Sequence, residues 1–333
     1  MLETGAYRLS DRVTLTANPG YHGGRPKLDT IVREILKDAS TRLSKYRANE
    51  LDMLIISPSD LDAVNGDAAL KADLKTFPRA RIWYVAMNSA VADSPFKKRD
   101  VRRAIAMAID KKQLIQVALH DQADIANGIL PPEVLGYDPN VKPLPFDPAQ
   151  AKDLLAKAGY PGGAGFPVLP YAFRAHIQEV QEVAEVVRQQ LKTNLGVDLQ
   201  SHPMEWNEYL KERHDKTLPI ATGSWGADYL DPQNFLSTLL HTDKIVDGKP
   251  DHEENGIGYS NADFDRLCDQ ADVEHNQAKR IDLYRQAERI AIDDAPWVPL
   301  YFQKDLMLIK PRVTGYRDSV FGILPHTQTT VAP

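Results

Sequence analysis

The sequence predicts an α/β protein built from two lobes. Strand-like and helix-like patterns alternate along most of the chain, which is typical of α/β architecture. The chain has 333 residues, 43% of them hydrophobic, which is enough for two separate cores. Strand-like runs at residues 81–88 and 297–303 are the predicted crossings between the lobes. Residues 1–88 and 300–333 would then form one discontinuous lobe and residues 89–299 the other, joined by a hinge.

The elements of the first half follow from periodicity and from turn residues. Alternating apolar and polar residues predict strands, and apolar residues spaced three and four apart predict helices. Asp147 and Pro148 mark the start of a helix that ends at Gly159. In chain order we predict strands at 5–9, 13–17 and 31–36, a helix at 40–49, a strand at 51–56, a helix from 60, a strand at 81–88, helices at 101–109 and 111–118, a surface loop at 128–148, and a helix at 148–158.

The second half continues the same alternation. Its clearest feature is a long amphipathic helix at 177–195. The glycine-rich run at 162–165 lacks the Lys-Ser/Thr of a phosphate loop and follows a helix, so we predict an ordinary loop. The other predictions are strands at 168–173, 197–201, 219–223 and 297–302, and helices at 205–214, 264–271 and 278–292.

Charge and composition narrow the function classes. Forty Lys and Arg residues against 46 Asp and Glu give a net charge of −6 without charged blocks, which argues against a nucleic-acid partner. No apolar run reaches the roughly 18 residues of a membrane span. The N-terminus lacks a signal-peptide pattern, which taken literally indicates a cytoplasmic chain. No nucleophile motif is present, and we expect neither catalysis nor a cofactor.

Cysteine and histidine usage predicts no reactive or metal centre. Cys268 shares a helix face with apolar residues and is expected to be buried and inert. The nine histidines are scattered, without H-x-x-x-H spacing. The loop between His241 and His252 is the place where a metal chelate could bind.

A series of segments follows in a fixed order along nearly the whole chain. They are residues 95–110 (PFKKRDVRRAIAMAID), 128–132 (GILPP), 146–155 (FDPAQAKDLL), 159–160 (GY), 225–232 (WGADYLDP), 255–261 (NGIGYSN) and 294–301 (DAPWVPLY). The series resembles the bacterial extracellular solute-binding proteins that carry peptides, nickel or opines. This resemblance implies a periplasmic-binding-protein-like two-lobe fold of the peptide-binding type. It also implies that the N-terminal part of the outer lobe and an extra small domain are absent from this chain.

Residues 205–214 (EWNEYLKERH) and their ungapped distance to Trp225 are similar to oligopeptide-binding proteins. By that resemblance, Asp228 is the buried carboxylate that binds the α-ammonium group of a peptide. The main chain of the 225–227 segment would pair with the main chain of the ligand. The implied ligand-binding residues are Trp206, Arg213, Trp225, Gly226, Ala227, Asp228 and Asn255.

The residue types alone leave other interpretations open. Asp228 could be a turn residue or a helix N-cap. Trp206 and Trp225 could be core aromatics, and Arg213 a solvated helix residue. Asp231, before a proline, is predicted to be a structural cap.

Three positions depart from the oligopeptide-binding pattern. Thr222, Ala86 and Val180 stand where that branch of the family has a cleft arginine, a glutamate and a histidine. The preferred length and carboxyl end of the ligand therefore stay open.

The predicted function is that of a substrate-binding subunit of an ABC importer. It would capture short peptides and deliver them to the transmembrane permease subunits, as a monomer and without nucleic acid. The resemblance places it in the periplasm or at the cell surface as a lipoprotein. The alternatives are a binding protein of the same fold for a nickel chelate, an opine or a sugar, and a cytoplasmic ligand-sensing domain.

Overall fold

The computed structural model describes residues 11–36, 38–242, 245–246, 249–250 and 254–332. The predicted strand at residues 5–9 lies outside them. The strands are β1 (Arg12–Thr16), β2 (Thr30–Glu34), β3 (Met53–Ile56), β4 (Leu74–Met87), β5 (Ala123–Ile125), β6 (Leu169–Arg174), β7 (Leu199–Met204), β8 (Ile220–Gly226), β9 (Ile245–Val246), β10 (Lys249–Pro250), β11 (Trp297–Ile309), β12 (Val313–Thr314), β13 (Asp318–Ser319), β14 (Gly322–Ile323) and β15 (Thr330–Val331). The helices are α1 (Ala39–Arg47), α2 (Leu61–Asn65), α3 (Ala68–Asp73), α4 (Arg99–Met107), α5 (Lys111–Leu119), α6 (Pro148–Lys157), α7 (Gln178–Leu195), α8 (Trp206–His214), α9 (Ser237–Leu240), α10 (Ala262–Val273) and α11 (Gln277–Asp294).

The chain divides into two compact units. The smaller unit is Met1–Phe77 with Asp305–Pro333, and the larger unit is Pro78–Lys304. The chain passes between them within β4 and within β11. These divisions differ from the predicted ones at 88/89 and 299/300, because each crossing strand contributes residues to both units. The assignment of ligand-binding lobes stays a prediction.

The larger unit is built on a mixed sheet with the strand order β11–β4–β8–β6–β7, and β5 also pairs with β11. β4 and β8 are antiparallel, from Arg81 opposite Gly226 to Met87 opposite Ile220. β8 runs parallel to β6, but they pair only at Ile220 and Ala221. Beyond that point β6 stays paired with β7. The second half of β8 therefore has a partner strand on one side only among the described strands.

Helices cover both faces of this sheet. Side chains alternate along a strand, so Val85 and Met87 of β4 point into a core shared with α4, α5, α6 and α7. Ile82 and Tyr84 point to the opposite face, into a core shared with α9, α10 and α11. The three-layer arrangement confirms the predicted α/β class.

The predicted surface loop at 128–148 is wrong in its first half. Ile129, Leu130 and Val134 are buried against the core that contains α11. The N–H groups of Ile129 and Leu130 donate to Oε1 of Glu288 on α11, at 2.7 and 3.0 Å. A Cβ on Gly128 would lie 2.5 Å from the same oxygen, which explains the glycine. The apolar residues could enter the core because a buried carboxylate binds their main chain.

Several local predictions are confirmed. Asp147 caps α6 by accepting a hydrogen bond from the N–H of Gln150 at 2.9 Å. Cys268 is fully buried in α10, and burial raises the pKa of its thiol, as expected for an inert cysteine. The glycine-rich run opens with a short 3₁₀ turn at Pro161–Gly163, where Gly162 has a φ of 60°.

The smaller unit has its own core, formed by α1, α2, α3, β3 and the end of β11. β3 pairs with β11 through residues Met53–Ile56 and Leu306–Ile309. Within the core, the hydroxyl of Tyr46 donates to Oδ2 of Asp73 at 2.7 Å. This unit also contains the β1–β2 hairpin, whose residues are mostly exposed.

Candidate functional site

The second half of β8 presents main-chain groups that no described strand uses. Ala227 donates its N–H to the carbonyl of Ala80, so its main chain faces β4. Successive residues of a strand direct their main-chain groups to opposite sides. The N–H and C=O groups of Ser224 and Gly226 therefore point away from β4, toward the side where β6 has already diverged. Of the predicted 225–227 segment, Gly226 has the outward-facing groups, and Ser224 is an addition that the sequence did not indicate.

Glycine at 226 is explained by a neighbouring side chain on β4. A Cβ at this position would lie 3.0 Å from Nη2 and 3.1 Å from Nε of Arg81. The guanidinium group of Arg81 therefore lies directly across Gly226, its partner in the strand register. A larger residue would displace this guanidinium group from the exposed strand.

The turn after β8 is organised by Asn234. Its Oδ1 accepts hydrogen bonds from Nε1 of Trp225 at 3.1 Å and from the N–H of Asp228 at 3.0 Å. Its Nδ2 donates to Oδ2 of Asp228 at 3.2 Å. Asn234 is itself buried. A single internal amide thus fixes the indole ring and the carboxylate that the sequence predicts at the ligand site.

Asp231 supports this turn, as predicted for a structural cap. Its Oδ1 accepts from the N–H of Gln233 at 2.9 Å. Its two carboxylate oxygens also accept from Arg280 of α11, at 2.6 and 2.8 Å. Burial alone would raise the pKa of Asp231, but the bonds from Arg280 and Gln233 outweigh it and leave that pKa below its usual range.

Asp228 lies just beyond the end of β8 and is exposed rather than buried. The expectation of a buried acid is wrong for this ligand-free chain. The physical reason is that an uncompensated carboxylate is costly to remove from water. Oδ2 has the Asn234 bond, and within the part of the chain that is described no group donates to Oδ1. The carboxylate is oriented from behind and accessible in front.

Trp206 lies at the start of α8 as part of an aromatic and cationic platform. Its ring is 43% exposed, so it is not a core residue. It stacks on Tyr209, with ring centres 5.7 Å apart and planes 11° apart. The guanidinium carbon of Arg174, the last residue of β6, lies 4.7 Å from the centre of the indole ring. The hydroxyl of Tyr209 donates to the carbonyl of Thr222 at 3.2 Å, which connects the platform to β8.

Arg213 is held by an acidic partner instead of lying in solvent. It donates to Oε2 and to the main-chain carbonyl of Glu254, at 2.7 and 2.8 Å. The pair lines a pocket of about 400 Å³ together with Tyr84, Ala86, Tyr209, Leu218, Ala221, Leu239, Gly256, Ile257 and Trp297. Burial raises the pKa of Tyr84 to about 12, so its phenol is neutral at physiological pH. Because Glu254 balances the guanidinium charge, Arg213 does not present an unpaired cation to a ligand.

Asn255 has an internal position. It is fully buried, and its Nδ2 donates to the carbonyls of His241 and Tyr259, both at 2.8 Å. Its Oδ1 accepts from the N–H of Tyr259 at 3.2 Å. We therefore propose that Asn255 closes a loop, in place of the ligand contact implied by the sequence.

The three departures from the oligopeptide-binding pattern are all buried and uncharged. Ala86 faces the Arg213 pocket, and Val180 lies in the core with α7. The hydroxyl of Thr222 is hydrogen-bonded to the hydroxyl of Tyr171. None of these positions supplies a charge to the exposed half of β8. Arg174, which sequence reasoning missed, is the nearby cation on the Trp206 platform.

The loop between His241 and His252 is described only in part, and His252 lies outside the described residues. His241 is buried, with Nε2 3.1 Å from Oδ1 of Asp269 and Nδ1 3.0 Å from the carbonyl of Thr242. Across the described ranges, no three His, Cys, Asp or Glu side chains lie close enough to share a metal ion.

Comparison with known proteins identifies the family. The profile of the bacterial extracellular solute-binding proteins, family 5 (middle region), matches residues 1–247. The chain belongs to this family. Its predicted resemblance is confirmed by a match that includes β8, the turn after it and the Trp206 platform.

Relatives with curated names support the same assignment. Heme-binding protein A of Haemophilus influenzae is 32% identical over 318 residues, covering 95% of this chain and 56% of that protein. Di/tripeptide-binding protein 2 of Pseudomonas aeruginosa is 30% identical, covering 94% of this chain and 57% of its own length. This chain thus spans little more than half the length of these curated relatives.

The fold also matches solved structures. A periplasmic oligopeptide-binding protein of Borrelia burgdorferi aligns with a TM-score of 0.83 and 26% identity, over 98% of this chain and 63% of that one. This agreement confirms the predicted periplasmic-binding-protein-like architecture. Within the described part of the chain, no helix is both long and apolar enough to cross a bilayer.

Proposed function

We propose that this chain is the peptide-recognition portion of a substrate-binding subunit of an ABC importer. The observation that carries the proposal is the half-paired strand β8, with outward-facing main-chain groups at Ser224 and Gly226 that end at the exposed carboxylate of Asp228. Family membership and the names of the relatives support it. In this role the protein binds its ligand without catalysis, acts as a monomer, and delivers the ligand to the permease from the periplasm or as a surface lipoprotein.

Peptide recognition would use strand addition. A short peptide pairs its main chain with Ser224 and Gly226, as an additional strand where β6 has diverged. Its α-ammonium group reaches Asp228, where a charge-assisted hydrogen bond stabilises the bound state. Asn234 positions the carboxylate for this contact. Main-chain pairing gives affinity that depends little on ligand side chains.

Arg174 is suited to the opposite end of the ligand. A peptide that starts at Asp228 and runs antiparallel to β8 moves toward Thr222 and then toward the Trp206 platform. At roughly 3.4 Å per residue, three residues extend about 10 Å. The carboxyl-terminal group of a tripeptide then comes toward Arg174, because Thr222 is neutral and bonded to Tyr171. We expect di- and tripeptides with free ends to be the preferred ligands.

The test is calorimetry with trialanine and the 333-residue chain, comparing Asp228→Asn with the wild type. We expect the substitution to weaken binding about 30- to 100-fold, consistent with loss of a charged hydrogen bond. N-acetyl-trialanine should bind the wild type equally poorly and should be insensitive to the substitution. Asp153→Asn, at an exposed position of α6, is the matched control and should have no effect. Equal affinity of wild type and Asp228→Asn for trialanine would overturn the assignment.

A second ligand class is favoured by one observation. The exposed Trp206 ring, stacked on Tyr209, offers a flat surface to a planar molecule. Haem is such a molecule, and one relative is named a heme-binding protein. A haemin titration followed by visible absorbance separates the two classes: Trp206→Ala would weaken haemin binding at least tenfold, while Asp228→Asn would leave it unchanged.

A further inference from the structure

The larger unit has a second pocket away from the exposed half of β8. It lies where the end of α4, the start of α5 and the start of β11 meet. Most of its walls are apolar, and two polar side chains, Lys111 and Asn127, face it. The lining residues are Ala106, Lys111, Asn127, Pro143, Leu144, Ile292, Ala295, Trp297, Val298 and Pro299.

Lys111 brings a cation into this pocket without an acidic partner. Its Nζ donates to the carbonyl of Ala126 at 3.0 Å. Within the described residues, no carboxylate lies at ion-pair distance from this group, whereas Lys304 has Asp124 at 2.6 Å and Arg213 has Glu254 at 2.7 Å. Burial lowers the pKa of Lys111 to about 8. An ammonium ion in apolar surroundings with one neutral acceptor is poorly compensated.

Asn127 supplies the complementary group. Its Nδ2 donates to the carbonyl of Asp138 at 3.1 Å, which fixes the orientation of the amide. Its Oδ1 is buried and accepts no hydrogen bond from any described residue. A buried acceptor left in this state costs about 1–3 kcal/mol. Asn127 directly follows Ala126, so the unused oxygen lies near the lysine ammonium group.

From these two groups we propose that the pocket binds a small 2-hydroxycarboxylate. The carboxylate would pair with Lys111, and the hydroxyl would donate to Oδ1 of Asn127. A short apolar substituent would lie against Leu144 and Val298. A ligand needs both an anionic acceptor and a donor to satisfy the two groups, and the narrow pocket restricts it to a few carbon atoms. The site does not depend on Asp228 or on peptide binding.

Trp297 gives the site an optical signal and a connection. Its ring lines this pocket and also the Arg213 pocket, and it stacks on Tyr84 with ring centres 3.6 Å apart. A ligand at Lys111 therefore touches an aromatic pair whose other side faces the Arg213 pocket. Ligand binding should change the fluorescence of Trp297, and Trp297→Phe should remove that change.

The test is a titration of the full chain with lactate by calorimetry and fluorescence at pH 7. Lactate should bind, propionate should bind about tenfold more weakly because it lacks the hydroxyl, and lactamide should not bind because it lacks the charge. Lys111→Met should weaken lactate binding at least 30-fold, and Lys112→Met, the exposed neighbour, should leave it unchanged. Methionine keeps the length and apolar character of the lysine stem, and circular dichroism checks the fold.

The pH dependence provides a readout that a purely structural lysine would not give. With a pKa of about 8, the ammonium form falls about tenfold between pH 7 and pH 9, and lactate affinity should fall by the same factor. At pH 8 binding should be accompanied by proton uptake, seen as a dependence of the heat on the buffer. Absence of lactate binding, or binding that Lys111→Met and pH leave unaltered, would overturn the proposal.

Discussion

Two segments of the larger unit, both rich in turn residues, use their polar groups in opposite ways. The ligand segment, residues 224–228, has outward-facing main-chain groups and an exposed carboxylate. The anchored loop, residues 128–137, has its main chain bound by Glu288 and by Arg285, which donates to the carbonyls of Gly136 and Tyr137 at 3.0 and 3.1 Å. Polar groups that are oriented but unused mark a binding site, whereas polar groups that are fully used mark architecture.

The largest effect expected from this contrast is at Glu288. Glu288→Ala removes the acceptor of two buried N–H groups and leaves a cavity, so we expect a loss of about 3–5 kcal/mol in unfolding free energy. Glu288→Gln keeps one oxygen toward Ile129 and Leu130 and should cost far less. Urea unfolding monitored by tryptophan fluorescence measures both. Similar midpoints for the two variants would show that the anchored loop does not depend on this acceptor.

Asn255 tests whether a residue predicted for the ligand belongs to the architecture. Asn255→Ala leaves the carbonyls of His241 and Tyr259 and the N–H of Tyr259 without their partner, at an expected cost of about 2–3 kcal/mol in stability. Trialanine affinity at 15 °C, where the variant is folded, should match the wild type. A variant with unchanged unfolding and weakened binding would restore Asn255 to the ligand site.

Ser224 tests whether the outward main-chain groups of the ligand segment matter. Ser224→Pro removes an N–H that β4 does not use, so trialanine affinity should fall about tenfold with a small change in stability. Trp225→Pro is the contrast, because it removes a ladder bond to β4 and should destabilise the larger unit. Calorimetry and urea unfolding of the two variants separate the two sides of β8. Equal affinity in Ser224→Pro would remove strand addition from the mechanism.

The smallest effect concerns the support beneath the ligand segment. The folded-state pKa of Asp231 is lowered, so its bond with Arg280 contributes stability above the unfolded pKa of about 4 and loses it as pH falls through the folded value. Arg280→Met should cost about 1 kcal/mol at pH 6, and the difference from wild type should shrink as the pH falls toward 2. Lys211→Met, which breaks an exposed pair with Asp215, is the control and should change little at any pH.

Local patterns were sufficient for much of the fold and for part of the site. Periodicity located the helices α7 and α11, and the Asp147–Pro148 pair located the start of α6, because these signals depend on near neighbours in the chain. Burial of the 128–137 loop was missed, since its acceptor, Glu288, lies about 150 residues away. Asn234 and Arg174 were missed for the same reason: their contacts with Asp228 and Trp206 exist only in the folded chain.

The sequence by itself determined the α/β class, the family and the position of the segment that contains Trp225 and Asp228, because these follow from local order and periodicity. Only the tertiary structure decided which groups in that segment are unused. That depends on where β6 leaves β8, on which side chains reach Asn234, and on which cations have an acid within reach. Such properties are set by contacts between distant residues, and no local pattern encodes them.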